Sequence, residues 1–404
     1  MVSMTSEGAY TDRAATKGHW LAVSVLAFGV FVVGTGEFVL AGLLPLLSRS
    51  FDISPSVAGQ VITTFALTCA IAGPVLTSTT GVWHRRTVLL IAALVYLIGS
   101  AWTAVAPSYS QVLLGQMVAA LGVGLFVPNA TVTAAALVSP AHRGRAIAAV
   151  VSGFTAAAAL GAPLGTALGG IFDWRTTMWL TTVLAVVGAI GILLLIPSRV
   201  QVARPSALGQ QLRLLKEPQI IAVLSVTLLA FTAVYIPYTY IGIIFEPATS
   251  ANNANLAALI LLLGIIGTIG NFGAGILADR MGGPKVVAIA LVWLTVSMLL
   301  MPLSTAELRT ALAMTAFYGA AAFAITTPQQ HRLISLKPES AALLISLNQA
   351  ILYLAIALAG FVGGAGVAWL GAQHVSLIAA GLALLALALS EITRRRTSRV
   401  EART

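Results

Sequence analysis

The sequence predicts an all-α membrane protein of twelve transmembrane helices, arranged as two pseudo-symmetric bundles of six. Three observations predict it. Of 404 residues, 58% are hydrophobic and only 8% charged. A water-soluble chain is nearer a quarter charged, so this one has too few charges to cover a soluble surface. The apolar residues also fall into long runs, each near the ~20 residues that cross a ~30 Å hydrocarbon layer. Finally, Lys and Arg concentrate in alternate connections between those runs.

Taken in order, the runs lie at roughly 20–45, 57–78, 88–105, 111–137, 145–170 and 176–197, then at roughly 219–246, 255–278, 286–304, 309–335, 341–367 and 374–392. The expected organisation is a cytoplasmic tail over 1–18, a first bundle over 19–197, a linker over 198–218, a second bundle over 219–392 and a basic tail over 393–404. The first run is too long for the core of a signal peptide and reads as a retained helix. With the N-terminus inside, nineteen of the 22 Lys and Arg fall on the cytoplasmic side, and only Arg49, Arg175 and Arg309 fall outside. Cytoplasmic loops carry such an excess, and a wrong helix count would scramble the alternation. The net charge of +10 does not point to nucleic acid, because the basic residues are dispersed in short loops rather than gathered on one patch.

The halves echo each other. Each turns its second hairpin through a tight basic loop, Gly81–Arg86 and Asp279–Lys285, and each has a proline in its fourth run, Pro128 and Pro328. Duplicated six-helix halves place a substrate site near the midplane between them.

Glu37 is the sharpest single signal, an acid deep within the first run in Val33-Gly-Thr-Gly-Glu-Phe-Val-Leu-Ala-Gly42. A charge at the bilayer centre costs on the order of 2.5–3.5 kcal/mol on insertion scales, so intramembrane acids are retained for pairing or for function. A carboxyl that exchanges between its two forms can take up a proton on one side and release it on the other. The structural alternative is a carboxyl simply satisfied by neighbouring helices. Polar candidates for a central cavity are Gln60, Gln116, Asn129, Tyr235, Tyr238, Asn271, Gln330 and Asn348, each equally readable as an interhelical hydrogen bond. Tyr235, Tyr238 and Tyr240 crowd around Pro237. Gly161, Pro163, Gly165 and Gly169 mark the fifth run as closely packed and bent. Arg85, Arg86, Asp279 and Arg280 stand at cytoplasmic turns, either as gate charges or as solvated loop residues. No histidine pair has metal-ligand spacing, no phosphate-loop motif occurs, and the loops offer no catalytic constellation. The expectation is therefore no metal, no cofactor and no enzymatic activity. The lone Cys69 lies in an apolar run and reads as a packing residue.

Three segments together resemble the bacterial twelve-helix drug:proton antiporters of the major facilitator superfamily, over nearly the whole chain. They are Gly34-Thr-Gly-Glu-Phe-Val-Leu-Ala-Gly-Leu-Leu-Pro45, Gly161-Ala-Pro-Leu-Gly-Thr-Ala-Leu-Gly-Gly170 with Trp174-Arg175, and Asp279-Arg-Met-Gly within Gly275 to Lys285. The branch they most resemble holds chloramphenicol, arabinose and nucleoside exporters. The resemblance implies a monomeric carrier in a bacterial inner membrane with both termini cytoplasmic. It would export a small organic solute such as a drug, sugar or nucleoside by alternating access, with the proton gradient as energy source. Uptake on the same fold is the alternative. By the same resemblance Glu37 is the proton- or substrate-linked acid, Asp279 and Arg280 belong to the inner gate, and Gly161, Pro163 and Gly165 shape the antiporter bend. Gln330 and Arg332 fall where the branch often has Gln and Arg. The chain departs from the pattern twice: Gln116 stands where many relatives have a membrane arginine, and Gly81-Val82 replace an Asp-Arg pair, with Arg85 and Arg86 kept.

Overall fold

A computed structural model describes residues 6–198, 200, 209 and 213–401. The described residues contain twelve helices long and apolar enough to cross a membrane. They are α1 (His19–Ser50), α2 (Pro55–Thr79), α3 (Arg85–Val105), α4 (Tyr109–Leu137), α5 (Pro140–Ile171) and α6 (Trp174–Leu195). The second six are α7 (Pro218–Thr239), α8 (Asn253–Met281), α9 (Gly283–Ser304), α10 (Leu308–Leu336), α11 (Leu343–Leu370) and α12 (Ala372–Arg395). The helix carrying α1 already begins at Ser6, within the expected tail. Most of the expected linker, with Arg199 and Arg204, lies outside the described residues, as does Arg403.

The seventh span is shorter than the run predicted over 219–246. α7 stops at Thr239, and the chain continues as two one-turn helices, Ile241–Ile244 and Glu246–Thr249. Pro237 has no N–H to return to the carbonyl four residues back, so hydropathy runs on where the helix does not. The break turns Tyr240 inward, where its hydroxyl donates to Gly360 O of α11 at 2.7 Å.

Helices α1 and α5 run parallel in a register that does not slip. Gly153 lies against the backbone of Ala27, Gly161 against Thr35, Gly165 against Val39 and Gly169 against Leu43. Each pair has the same sequence separation, because residues spaced by four stay on one helical face. Without side chains on α5, the two backbones approach closely, the usual basis of tight membrane-helix contacts. Between Ala157 and Gly161, α5 widens into a π turn. Pro163 has no N–H for the carbonyl of Ala159, and a π turn is one of the few ways a helix absorbs such a gap.

The halves meet mainly at the face where α1 ends and α2 begins. There Arg49 pairs with Glu246 at 2.8 Å, both about half exposed. Gly242 lies under the Pro45 ring, Gly59 under Tyr240, Gly360 against Thr63, and Gly170 against Asn253. Deeper in, Gly264 of α8 touches the backbone of Ala158 and Ala159. At the opposite face, where α2 turns into α3, no hydrogen bond or ion pair joins the halves among the described residues. Helix α8 packs on the Ala157–Ile171 end of α5, so the polar ties and close contacts between the halves gather on one side, the sealed one, and thin out toward the other, the parted one. The exposed Arg49–Glu246 pair contributes at most about 1 kcal/mol, so the apolar seam around it holds the seal.

Gly161→Val is expected to destabilise the fold by about 3 kcal/mol, because the new side chain meets Thr35 in a core with no slack. Thermal unfolding of purified protein in detergent checks this. Adding Thr35→Ala should recover part of the loss, since the obstruction is a side chain and not backbone.

Candidate functional site

The segment Gly34-Thr-Gly-Glu37 shows why an acid here can face the junction of the halves. Gly34 packs on Ala157 of α5, Thr35 lies beneath Gly161, and Gly36 accommodates the Tyr96 hydroxyl of α3. Three consecutive positions thus fasten α1 to its own half. The next face, bearing Glu37, Phe38, Pro45 and Arg49, turns toward the second half, and each of those residues touches it.

Glu37 is half-buried. Its Oε2 accepts a hydrogen bond from the Tyr353 hydroxyl of α11 at 3.1 Å, one of the few polar ties between the halves. One residue on, the Tyr238 hydroxyl donates to Phe38 O at 3.3 Å. Aromatic rings surround the carboxyl. Phe38 meets Phe154 edge-on at 5.6 Å and Tyr238 at 6.1 Å; Tyr238 meets Tyr235 at 5.6 Å, and Tyr235 meets Phe231 at 6.5 Å. The carboxyl is in electrostatic range of Cys69, Tyr96, Tyr235, Tyr238 and Tyr353. Among the described residues it forms no salt bridge. The arrangement is a carboxyl with one hydroxyl donor beside a cluster of aromatic rings at the junction of the halves. It can exchange a proton, and it can accept a hydrogen bond from a solute while the rings contact an apolar body.

Of the cavity candidates, Tyr235 and Tyr238 stand at Glu37. Of the others, Gln116, Asn129, Asn271 and Asn348 tie helices together. Gln116 is buried within the first half, donating to Thr103 Oγ1 at 3.1 Å and directed at the Met178 sulfur. Asn129 accepts from Arg85 at 2.7 Å, which fills the role left open by Gly81-Val82: the Arg85 guanidinium is buried and held by a neutral amide and by Gly81 O. Gln60 donates to Ser56 O, Asn271 accepts from Thr327, and Asn348 accepts from Thr227 at 2.9 Å. Gln330 is half-buried, whereas its neighbour Gln329 is buried and donates to Val223 O and Thr227. Arg332 is buried against Ser390. At the parted face Arg86 donates to Leu193 O, while Asp279 and Arg280 are exposed and form no ion pair among the described residues. Gly161, Pro163, Gly165 and Gly169 are all buried in α5, and the three glycines form its seam with α1.

Tyr353 is the residue that sequence reasoning missed. A tyrosine in an apolar run signals little alone; only its place opposite Glu37 distinguishes it.

Residues 26–342 match the family model described as Major Facilitator Superfamily. The chain belongs to that superfamily. It is similar to the inner membrane transport protein YdhP of Escherichia coli K12, 31% identical over 369 residues, spanning 90% of this chain and 94% of that one. It is also similar to a chloramphenicol efflux pump of Mycobacterium tuberculosis, 28% identical over 60% of this chain and 58% of that one. Among solved structures it shares its fold with a bacterial homologue of the lysosomal transporter Spinster, at a TM-score of 0.76 and 14% identity over 94% of this chain and 97% of that one. This superfamily member is a polytopic membrane transporter. The match runs from within α1 to just before α11, so Glu37 and the α5 seam lie within it and Tyr353 beyond it.

In this transporter Tyr353→Phe removes one hydroxyl and its bond to the carboxyl, and is expected to lower stability by about 1.5 kcal/mol. In a double-mutant cycle with Glu37→Leu, measured by thermal unfolding, the two losses should not add, since both remove the same tie.

Proposed function

We propose that this transporter exports a small organic solute by alternating access, driven by proton antiport, from a bacterial inner membrane with both termini in the cytoplasm. The observation that carries the reading is Glu37, half-buried at the junction and bonded across it to Tyr353. Hydrogen bonds to an ionised group are roughly twice as strong as neutral ones. Proton uptake therefore changes both the affinity for solute and the tie between α1 and α11. That coupling of one chemical event to two consequences is what exchange requires, since a ligand shifts an equilibrium only by its differential affinity for the two states.

The Lys and Arg bias assigns the parted face to the cytoplasm. Solute enters from there while Glu37 is ionised, and the halves then rock to open the opposite face. A proton arriving from outside displaces the solute and accompanies the return. The ring-walled site has no basic side chain paired with Glu37, which suits a moderately polar, uncharged or cationic aromatic solute. The efflux relative supports export and makes chloramphenicol the first solute to try. The fold itself does not fix direction.

In inverted vesicles, Glu37→Gln should reduce proton-gradient-driven chloramphenicol uptake to the background of empty vesicles, while Glu37→Asp keeps part of it. Gradient-dependent uptake by Glu37→Gln equal to the parent would falsify the role of this carboxyl. Solute accumulation in whole cells, in place of depletion, would reverse the direction.

A further inference from the structure

A cleft of about 570 Å³ opens on the sealed side, and Glu37 is no part of its lining. One wall is the connection between α7 and α8, with Ile243, Glu246, Pro247 and Ser250; the other is the turn from α11 into α12, with Gln373 and His374. The first wall exists because α7 ends at Thr239 and the chain folds into two one-turn helices instead of running on. Ser250 and Ala251 stand in the left-handed region at φ 52° and 55°, and Gly371 turns the second wall at φ +80°. Non-glycine residues in that region are strained, and such strain persists where the surroundings fix it, ligand clamps among them. The volume is that of a small-molecule site, and the lining joins apolar surface to a few polar groups, as such sites do.

Glu246 is the only carboxylate in that lining, and no Lys or Arg lines it. It is also the acid that pairs with Arg49 across the halves, and among the described residues only its Oε1 is engaged. Every lining residue belongs to the second half, so the cleft moves with that half and outlasts an opening of the outer face. Arg49 lies on α1 and departs with the first half. We propose that this cleft binds a primary ammonium ion with a compact apolar body, and that its occupancy favours the outward-open state. The second part rests on the alternating-access reading; the site itself does not. A primary ammonium brings three N–H donors. The Glu246 carboxylate, the Ser250 hydroxyl and the Gln373 amide oxygen accept them, while Ile243 and Pro247 receive the apolar body. In the sealed state Arg49 already neutralises Glu246, and its charge opposes a second cation at the same carboxylate. Once the halves part, the ligand takes the place Arg49 has left. A ligand that binds one state better shifts the equilibrium toward it. The exposed Arg49 pair is weak enough for such a ligand to displace.

Phenethylammonium is the probe, titrated by calorimetry into the full-length chain in detergent. Every titration is made in a Glu37→Gln background, which keeps the central carboxyl out of the readout. Saturable binding is expected, about tenfold weaker with Glu246→Gln, as for losing a hydrogen bond to a charged group, and partly retained with Glu246→Asp. Arg49→Gln should tighten it about threefold, the effect of removing an exposed competitor. Opening is read separately. Thr63 of α2 lies against Gly360 of α11 across the halves. In cells expressing the chain with Cys69→Ala and Thr63→Cys, external phenethylammonium should raise labelling by a membrane-impermeant maleimide, and Glu246→Gln should abolish the rise. The site is overturned if monodisperse protein binds the amine no better than its Glu246→Gln variant. Its link to opening is overturned if Arg49→Gln binds more weakly or labelling does not rise. Binding is measured with Glu37 already replaced and no gradient present, so failure of this site and failure of proton antiport are told apart.

Discussion

A bilayer leaves no water to satisfy a polar group, and the position of Glu37 follows from that constraint. The helix carrying it must be held on three sides yet leave one side for an acid to face the partner half. Gly34 and Gly36 do the holding by omission: with no side chain, each lets a neighbouring helix approach, one from α5 and one from α3. The stripe of glycines on α5 extends the same contact in both directions along α1. What remains for the outward-turned face is the acid, a ring and the ends that meet the second half. The place of Glu37 at the junction is therefore a by-product of how tightly α1 is bound to its own bundle.

The two halves divide the labour unequally despite their echo. In the first, Arg85 and Asn129 brace the inner hairpin as a buried strut, and α3 and α6 are joined by the hydroxyls of Ser100, Thr181 and Thr182. In the second, the corresponding inner turn passes through Gly282 at φ +86°, and Asp279 and Arg280 beside it reach into solvent. One inner turn is fixed within its bundle and the other is free to meet a partner.

Much of this was legible in the sequence. Long apolar runs and alternating basic loops mark the twelve spans because hydropathy and chain length alone decide what crosses a bilayer. Glu37 stands out because a charge in hydrocarbon needs a reason. Other features were illegible for an equally physical cause. Gln116 and Asn129 are polar in membrane helices, like any lining residue, and only tertiary structure reveals that Thr103 and Arg85 already occupy them. Gln329 and Gln330 are neighbours in sequence and a third of a turn apart in space, so composition cannot choose between them. The end of α7 at Thr239 is a backbone event hidden within a continuous apolar stretch. Tyr353 acquires meaning only from an acid more than three hundred residues away.

That Glu37 has no ion-pair partner among the described residues bears on the electrical character of the proposed cycle. Under the proton antiport proposed above, a carboxyl neutralised by a proton can trade that proton for a cargo of matching charge or for an uncharged one. With a monocation the exchange is electroneutral and responds to the pH difference alone. With an uncharged cargo each turnover carries one charge through the field, and ~100 mV adds about 2.3 kcal/mol to the driving force. Under that proposal one carboxyl lets the same scaffold draw on voltage for some cargoes and not for others, with no change in its own structure.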